Sequence, residues 1–137
     1  MPEYKAPLRD MRFVLHELLE VEKHQNLPIF SEAPVDIIDA VLEEGAKVAE
    51  EILFPLNQVG HEEGCTFKDG EVTTPTGFKE AFAQYREGGW VGLAGNANYG
   101  GQGLPAFLGT AIGEMTCATN LAFEMYSGLT SGACAAI

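Results

Sequence analysis

The feature that most constrains this sequence is the near absence of charge in its last third. From Val91 to the end, only Glu114 and Glu124 are charged, while Gly, Ala and Leu are abundant. Folded proteins rarely expose large contiguous apolar surfaces to water. We therefore expect something outside this stretch to cover it. Residues 133–137 also lack the glycine cap, the proline and the basic last turn that usually end a helix, so the chain is expected to be interrupted there.

Length and composition predict one globular domain. The 137 residues are 46% apolar, which is enough for a single core. With 20 acidic and 8 basic side chains, the net charge of -12 disfavours binding to nucleic acid or anionic lipid. No run approaches the roughly 20 apolar residues that a membrane span needs, and the start lacks the apolar core of a signal peptide. We expect a cytoplasmic protein with neither nucleic-acid nor membrane partners.

The cysteines and histidines do not predict a metal site. Cys65, Cys117 and Cys134 are widely spaced and form no C-x-x-C pair, so neither a disulfide framework nor a zinc site is indicated. We expect reduced thiols that are buried or incidental, since Cys behaves as a small hydrophobe. The acidic cluster at residues 61–63 includes one histidine and is expected to be a solvated turn.

Hydrophobic periodicity predicts two helices in the first half of the chain. The first opens at Pro7 and runs to about Lys23, and the second opens at Pro34 and runs to Pro55. Their apolar residues at helical spacing are Leu8, Met11, Val14, Leu15, Leu18 and Leu19, then Ile37, Ile38, Val41, Leu42, Ala46, Ala49, Ile52 and Leu53. The acids Asp39, Glu43, Glu44, Glu50 and Glu51 are expected on the opposite, solvated face of the second helix rather than as catalytic pairs.

The second half predicts a short hairpin, a loop and three more helices, so the expected fold class is mainly all-α. Asp69-Gly70 between short alternating runs predicts a possible hairpin near residues 65–73. A third helix, capped by Thr74-Pro75 or Thr76, is expected to close at Gly88-Gly89. The glycine-rich segment 92–104 predicts a turn-rich loop, Pro105 restarts a helix, and a further helix is expected from about Leu121.

Two glycine-containing motifs suggest chemistry but lack the spacing that it needs. Residues 99–104 (YGGQGL) contain neither G-x-G-x-x-G nor Gly-Lys-Ser/Thr, and no predicted strand precedes them. A tight structural turn is therefore favoured over a phosphate cradle. Residues 128–132 (GLTSG) do not place Ser131 symmetrically between glycines, as a nucleophile elbow requires.

Several separated strings resemble the acyl-CoA dehydrogenase family. They are residues 87–93 (EGGWVGL), 99–105 (YGGQGLP), Glu114-Met115 and 120–123 (NLAF). Residues 4–11 (YKAPLRDM), 55–57 (PLN), 62–65 (EEGC) and 74–80 (TPTGFKE) resemble the subgroup of the 3-methylmercaptopropionyl-CoA dehydrogenase type. The resemblance extends over essentially the whole chain.

This resemblance implies that residues 1–137 are the family's amino-terminal helical domain, with the middle β domain and the carboxy-terminal helical domain absent. The complete enzyme would carry out α,β-dehydrogenation of acyl-CoA thioesters with FAD, form a homo-oligomer and pass electrons to a flavoprotein. The glutamate base and the main flavin contacts would lie in the absent domains. The chain alone is therefore expected to be inactive and not to bind FAD, and no catalytic, cofactor or metal residue is assigned within it.

The resemblance also implies that the two helices after the glycine loop form a wall of the acyl pocket. On that basis the candidate substrate-binding residues are Met115, Ala118, Tyr126 and Leu129, for which plain core packing is the alternative. Two other functions stay open. The chain could be a free-standing helical module that docks another protein through residues 91–137, or a complete protein that dimerises through the same surface.

Overall fold

The structure is a computed structural model that describes residues 3–136, and it confirms the mainly helical fold. Helix α1 (Leu8–Arg12) continues into a π-helical turn at Phe13–Leu18, and a 3-10 turn at Val21–His24 and helix α2 (Pro28–Ser31) follow. Helix α3 (Val35–Lys47), the π-helical segment Val48–Leu53 and helix α4 (Phe54–Glu63) follow one another without a break. Strands β1 (Thr66–Lys68) and β2 (Glu71–Thr73), helix α5 (Phe78–Glu87), 3-10 turns at Trp90–Gly92 and Ala97–Tyr99, and helix α6 (Ala106–Ala136) complete the chain.

Residues 35–63 form the central helical rod, and its buried positions recur at helical spacing. These positions are Ile38, Leu42, Ala46, Ala49 and Leu53. They confirm the apolar face that was predicted for the second helix. The predicted end of this helix at Pro55 is wrong, because the rod continues to Glu63. Pro55 is the second residue of α4 and follows the π-helical segment, so its missing N–H falls where the hydrogen-bond register already changes.

The first helix is shorter than predicted. It ends at Leu18 rather than near Lys23, because Glu20 adopts a left-handed conformation with a φ of 46°. Within the predicted apolar face, Met11 and Leu15 are buried, whereas Leu18 and its neighbours on that face are exposed. This change of backbone conformation ends the helix, and the 3-10 turn at Val21–His24 follows.

Three acids of the central rod bind the N-terminal segment instead of facing only water. The Arg12 guanidinium donates to Asp39 Oδ1 at 2.7 Å and to Glu43 Oε1 at 2.6 Å. Glu50 accepts from Lys5 Nζ at 2.8 Å and from the backbone N–H of Ala6 at 2.9 Å. The Arg12 contact lowers the pKa of Asp39. The predicted solvated face is therefore correct for Glu44 and Glu51, which are exposed, but Asp39, Glu43 and Glu50 tie the chain's beginning to the rod.

The predicted hairpin is confirmed. β1 and β2 pair antiparallel, with Phe67 opposite Val72. Asp69 and Gly70 both have positive φ, 52° and 86°, as a two-residue type I′ turn requires. The local Asp-Gly signal was therefore sufficient to define this element.

Helix α5 begins without the threonine cap that was predicted. Its N-cap is Gly77, with a φ of 83° and no side-chain cap. Glu63 Oε2, from the end of α4, instead accepts from the backbone N–H of Thr76 at 2.7 Å. The closing glycine pair is confirmed, since Gly89 adopts a left-handed φ of 81° just after the helix.

Helix α6 starts after Pro105, as predicted, and bends at Asn120, whose φ of -157° and ψ of 82° are not helical. The Asn120 side chain is 1% exposed. Its Nδ2 donates to the carbonyl oxygen of Leu53 at 3.2 Å, and its Oδ1 accepts from the backbone N–H of Phe123 at 3.0 Å. Asn120 thus ends the first half of α6, caps the second half and binds the central rod, which confirms a new helix from Leu121.

Two apolar clusters form the core, and Trp90 packs against both. The first joins α1, α3 and the first half of α6, and the second joins the rod around Leu53 to α5 and to Phe123 of α6. Phe123 is fully buried, and its ring centroid lies 5.5 Å from that of Tyr85 in an edge-to-face arrangement. Among the helices within residues 3–136, none has the length and apolarity to cross a bilayer.

Residues 92–104 form the predicted loop, which is closed on itself by backbone hydrogen bonds. These run from Gln102 N–H to Gly92 at 2.9 Å, from Gly103 to Gly95 at 2.9 Å and from Leu104 to Leu93 at 3.1 Å. Gly101 lies directly against the backbone of Gly95, so that a Cβ at residue 101 would overlap the Gly95 carbonyl group. Backbone cannot rotate away as a side chain can. Residue 101 must therefore be glycine, because a side chain has no room there.

We expect Asn120→Asp to destabilise the chain by about 3 kcal/mol at neutral pH, since it places an uncompensated charge against the Leu53 carbonyl. Asn57→Asp, at an exposed position of α4, is the matched control and should change stability by no more than about 0.5 kcal/mol. Urea denaturation measures both. Acidification should restore part of the Asn120→Asp loss relative to the control, because a protonated carboxyl can donate again. Equal losses in both variants would show that the Asn120 bridge is unimportant.

We expect Gly101→Ala to cost about 2 kcal/mol or more, because the added methyl group must push two backbone segments apart. Gly132→Ala is the control. Residue 132 is helical, and the space that an added methyl group would take there is open, so alanine should be neutral or stabilising by up to about 1 kcal/mol. Chemical denaturation of the two variants compares them directly, and a Gly101→Ala protein as stable as Gly132→Ala contradicts the close packing of the loop.

Candidate functional site

The glycine loop does not form a phosphate cradle. Every backbone N–H from Asn98 to Leu104 donates to an acceptor within residues 92–97. An anion site of this kind needs N–H groups that point at the ligand. Residues 91–136 also contain no Lys, Arg or His. The pyrophosphate of FAD therefore does not fit this loop, and the interpretation as a structural turn is confirmed.

The remaining motifs have structural explanations. Ser131 is within helix α6, and its Oγ donates to the carbonyl oxygen of Ser127 at 3.2 Å, so residues 128–132 are not a strand-to-helix elbow. Residues 61–63 end α4, and no group of three His, Cys, Asp or Glu side chains within residues 3–136 is placed to hold a metal ion. The three cysteines are free and exposed, so of the two expectations, buried or incidental thiols, the incidental one applies.

The four predicted wall residues do not form one surface. Met115 is 0% exposed and belongs to the first core cluster. Ala118 is exposed on the first half of α6, whereas Tyr126 and Leu129 are exposed on the second half, beyond the bend. The core-packing alternative therefore describes Met115, and a wall role stays a prediction for Ala118, Tyr126 and Leu129.

Tyr126 lies on the side of α6 that faces α5. Its ring centroid is 6.2 Å from that of Phe78 and 6.1 Å from that of Phe82, both in edge-to-face arrangements. Burial raises the pKa of Tyr126, and the neighbouring Cys65 thiol adds to the effect. The Cys65 thiol, just before β1, is thus a neighbour of this phenol.

The second half of α6 exposes an apolar face, which we call the α6 face and define as Leu121, Met125 and Leu129. These residues are four apart and are 61%, 57% and 72% exposed. Much of the uncharged stretch is nevertheless core, since Leu108 and Phe123 are fully buried. We expected residues 91–137 as a whole to be covered by another part of a protein. This expectation is wrong in extent, because the exposed apolar residues of this stretch lie mainly on the α6 face.

We call the group of residues around the Glu124 carboxyl group, at the bend of α6, the kink recess: Gly113, Cys117, Glu124 and Gly128. Glu124 Oε1 lies 4.0 Å from the position that a Cβ on Gly113 would take, and 3.7 Å from the corresponding position on Gly128. Both glycines are therefore close neighbours of the carboxyl group, at distances where a methyl group would make ordinary van der Waals contact. Glu124 Oε2 is buried and has no hydrogen-bond partner.

Burial raises the pKa of Glu124. The carboxyl group in turn contributes to the raised pKa of the buried Tyr85, for which burial is the main cause, and to that of Cys117, which is exposed but partly desolvated. Basic side chains could offset the cost of burying a carboxylate, but residues 91–136 contain none. Sequence reasoning overlooked Glu124, although the available signal was that it is one of only two charges in an otherwise uncharged third of the chain.

Other surface depressions lie away from α6. One, of about 790 Å³, is open and lined by α1 and its π-helical extension, including Arg12, whose guanidinium is already bound to Asp39 and Glu43. Another, of about 220 Å³, lies between the central rod and the glycine loop beside Trp90. Neither offers a buried carboxyl group beside an exposed apolar surface, so the kink recess and the α6 face are the better candidate site.

We expect Glu124→Met to stabilise the chain by about 1 kcal/mol at neutral pH, since it removes a buried oxygen that lacks a partner. Because burial raises the folded-state pKa of Glu124, its cost is small at acid pH, where both states are protonated, and grows as pH rises through that pKa. Urea denaturation between about pH 4 and pH 8 tests this. Glu114→Met, at an exposed position of the same helix, is the control, and an identical pH dependence in both variants would contradict the assignment.

Comparisons with known proteins agree on one family. The chain is 35% identical over 130 residues to a 3-methylmercaptopropionyl-CoA dehydrogenase of Ruegeria pomeroyi, in a match that covers 95% of this chain and 22% of that protein. It is 30% identical to a butyryl-CoA dehydrogenase of Syntrophomonas wolfei, over 98% of this chain and 22% of the relative. A broad-specificity linear acyl-CoA dehydrogenase of Mycobacterium tuberculosis is 29% identical over 93% of this chain and 21% of its own length.

No profile of a protein family matches the chain. The three relatives nevertheless share a family name, and each match extends over nearly all of this sequence. The chain spans about a fifth of the length of the relatives that it matches, and with them it belongs to the acyl-CoA dehydrogenase family.

Proposed function

We propose that residues 1–137 are the amino-terminal helical domain of an FAD-dependent acyl-CoA dehydrogenase and supply one wall of its acyl pocket. The observation that carries this proposal is the extent of the matches, which cover 93–98% of this chain but 21–22% of the relatives. A domain with this relationship is one part of a larger enzyme. The relatives are named for acyl-CoA thioesters, which are the substrates that we propose for the complete protein.

The α6 face supports the wall assignment. The α6 face, Leu121, Met125 and Leu129, is an exposed apolar strip. An acyl chain that covers it would be bound more tightly by about 0.8 kcal/mol for each methylene removed from water. Ala118 is exposed before the bend and Tyr126 beyond it, and a wall role is proposed for both. In this role the chain shapes the pocket and excludes water from it.

The reaction itself is assigned to the rest of the polypeptide. In the glycine loop every backbone N–H from Asn98 to Leu104 is donated within the loop, so the flavin site is proposed to lie in the domains that follow. The base that takes the α proton of the thioester is likewise assigned there, and residues 1–137 alone are proposed to be inactive. The complete protein is proposed to be a cytoplasmic homo-oligomer that passes electrons to a flavoprotein.

The test compares the 137-residue chain with the complete polypeptide of which it is proposed to be part. After incubation with excess FAD and gel filtration, the 137-residue chain should elute colourless. The complete polypeptide should keep a visible flavin band that bleaches when butyryl-CoA is added. A complete polypeptide that neither holds flavin nor reacts with acyl-CoA would contradict the proposal, and would favour a helical module that docks another protein through the α6 face.

The wall assignment has its own variant in the complete enzyme. Leu129→Ala should widen the pocket and raise kcat/KM for acyl groups a few carbons longer by about tenfold relative to butyryl-CoA, since one methylene is worth roughly 10-fold or more in a fitted apolar pocket. Leu27→Ala, at an exposed leucine that precedes α2, is the matched control and should leave the chain-length profile unchanged. Identical profiles for the two variants would remove Leu129 from the wall.

A further inference from the structure

Glu124 stands apart from the other charged groups of the chain. Within the described residues, the carboxylates that pair with basic side chains all lie before residue 88, as with Asp39 and Glu43 at Arg12 and Glu50 at Lys5. Glu124 has one oxygen buried with no partner, and burial is the cause of its raised pKa. A buried polar atom without a partner costs stability, which makes this carboxyl group a candidate for pairing with a bound ligand.

The kink recess borders the α6 face. Glu124 follows Leu121 by three residues and precedes Gly128 by four, so the three positions lie on adjoining rows of one helix. Gly113, on the other side of the bend, closes the recess without a side chain. A ligand that covers the α6 face therefore lies next to the residue that carries this carboxyl group.

The chemistry of the recess calls for a hydrogen-bond donor. A carboxylate only accepts hydrogen bonds, and a neutral carboxyl group still accepts through its carbonyl oxygen. Glu114 cannot supply a donor when it is ionised, and residues 91–136 contain no base. A purely hydrocarbon ligand would bury the carboxyl group further without pairing it, at a cost in affinity.

We propose that Glu124 is a specificity-determining residue of the acyl pocket, whose carboxyl group accepts a hydrogen bond from a hydroxyl or amino group on the acyl chain. This inference rests on the proposed function, because it takes the α6 face as the wall of that pocket. It goes further by naming the substrate class: acyl thioesters that carry a donor along the chain are preferred over hydrocarbon chains of the same size. A site built to pair such a group rejects the analogue that lacks it.

The experiment uses the complete flavin-loaded enzyme and pairs of nearly isosteric substrates. Each pair consists of an ω-hydroxyacyl-CoA and the plain acyl-CoA in which a methyl group replaces the terminal hydroxyl, across a series of chain lengths. At the length that brings the hydroxyl to Glu124, the wild-type enzyme should show a kcat/KM ratio of about tenfold or more in favour of the hydroxyl substrate.

Variants locate the preference. Glu124→Met should remove it, and Glu124→Gln should keep part of it, because the amide oxygen still accepts. Glu114→Met is the matched control: it removes the other charge of α6 at an exposed position and should leave the ratio as in the wild type. Flavin content and far-ultraviolet circular dichroism check that each variant is folded.

The outcomes separate this inference from the proposed function. If plain acyl-CoA substrates react but the wild-type enzyme shows no hydroxyl preference at any chain length, the role of Glu124 is refuted while the proposed function stands. The same conclusion follows if Glu124→Met keeps the wild-type ratio. An enzyme that reacts with no acyl-CoA refutes the proposed function itself. A preference that Glu124→Met abolishes and Glu114→Met preserves supports the inference.

Discussion

The bridge made by Asn120 is the interaction on which the arrangement of this domain depends. With one amide the side chain binds the Leu53 carbonyl of the central rod and caps the second half of α6. It therefore fixes both the residue at which α6 bends and the point along the central rod that this bend contacts. Asn120 is buried, so both bonds form away from water, where an unpaired polar group would be costly. The kink recess exists because of this bend.

The sequence predicted those elements whose signals are local. Asp69-Gly70 predicted a hairpin because few residue pairs accept positive φ at two successive positions. The helical spacing from Ile38 to Leu53 predicted the buried face of the rod, since one face of a long helix must meet the core. Pro105 and the glycines before it likewise predicted the loop and the helix that follows. In each case the residues that define the element are close together in the sequence.

What the sequence did not predict depends on residues that are distant along the chain. Helix α5 has Gly77 rather than a threonine at its N-cap, and Glu63, at the end of α4, binds the backbone N–H of Thr76 just before it. The rod passes through Pro55 because the turn before it is π-helical, which the apolar pattern does not reveal. Asn120 was recognised as part of a family motif, but its bond to Leu53 joins residues far apart in sequence and has no periodic signature.

The uncharged third of the chain shows why composition alone could not locate the site. Leucine, alanine and glycine serve equally in a core and in a surface that a ligand or another domain covers. The structure divides them at Asn120: before it, Leu108 and Ile112 pack on the rod, and after it, Leu121 and Leu129 face outward. Because a covered surface excludes water as a core does, a charge within it needs a partner. The carboxyl group of Glu124 is thus the feature that distinguishes this surface from ordinary core, and it links the fold to the choice of ligand.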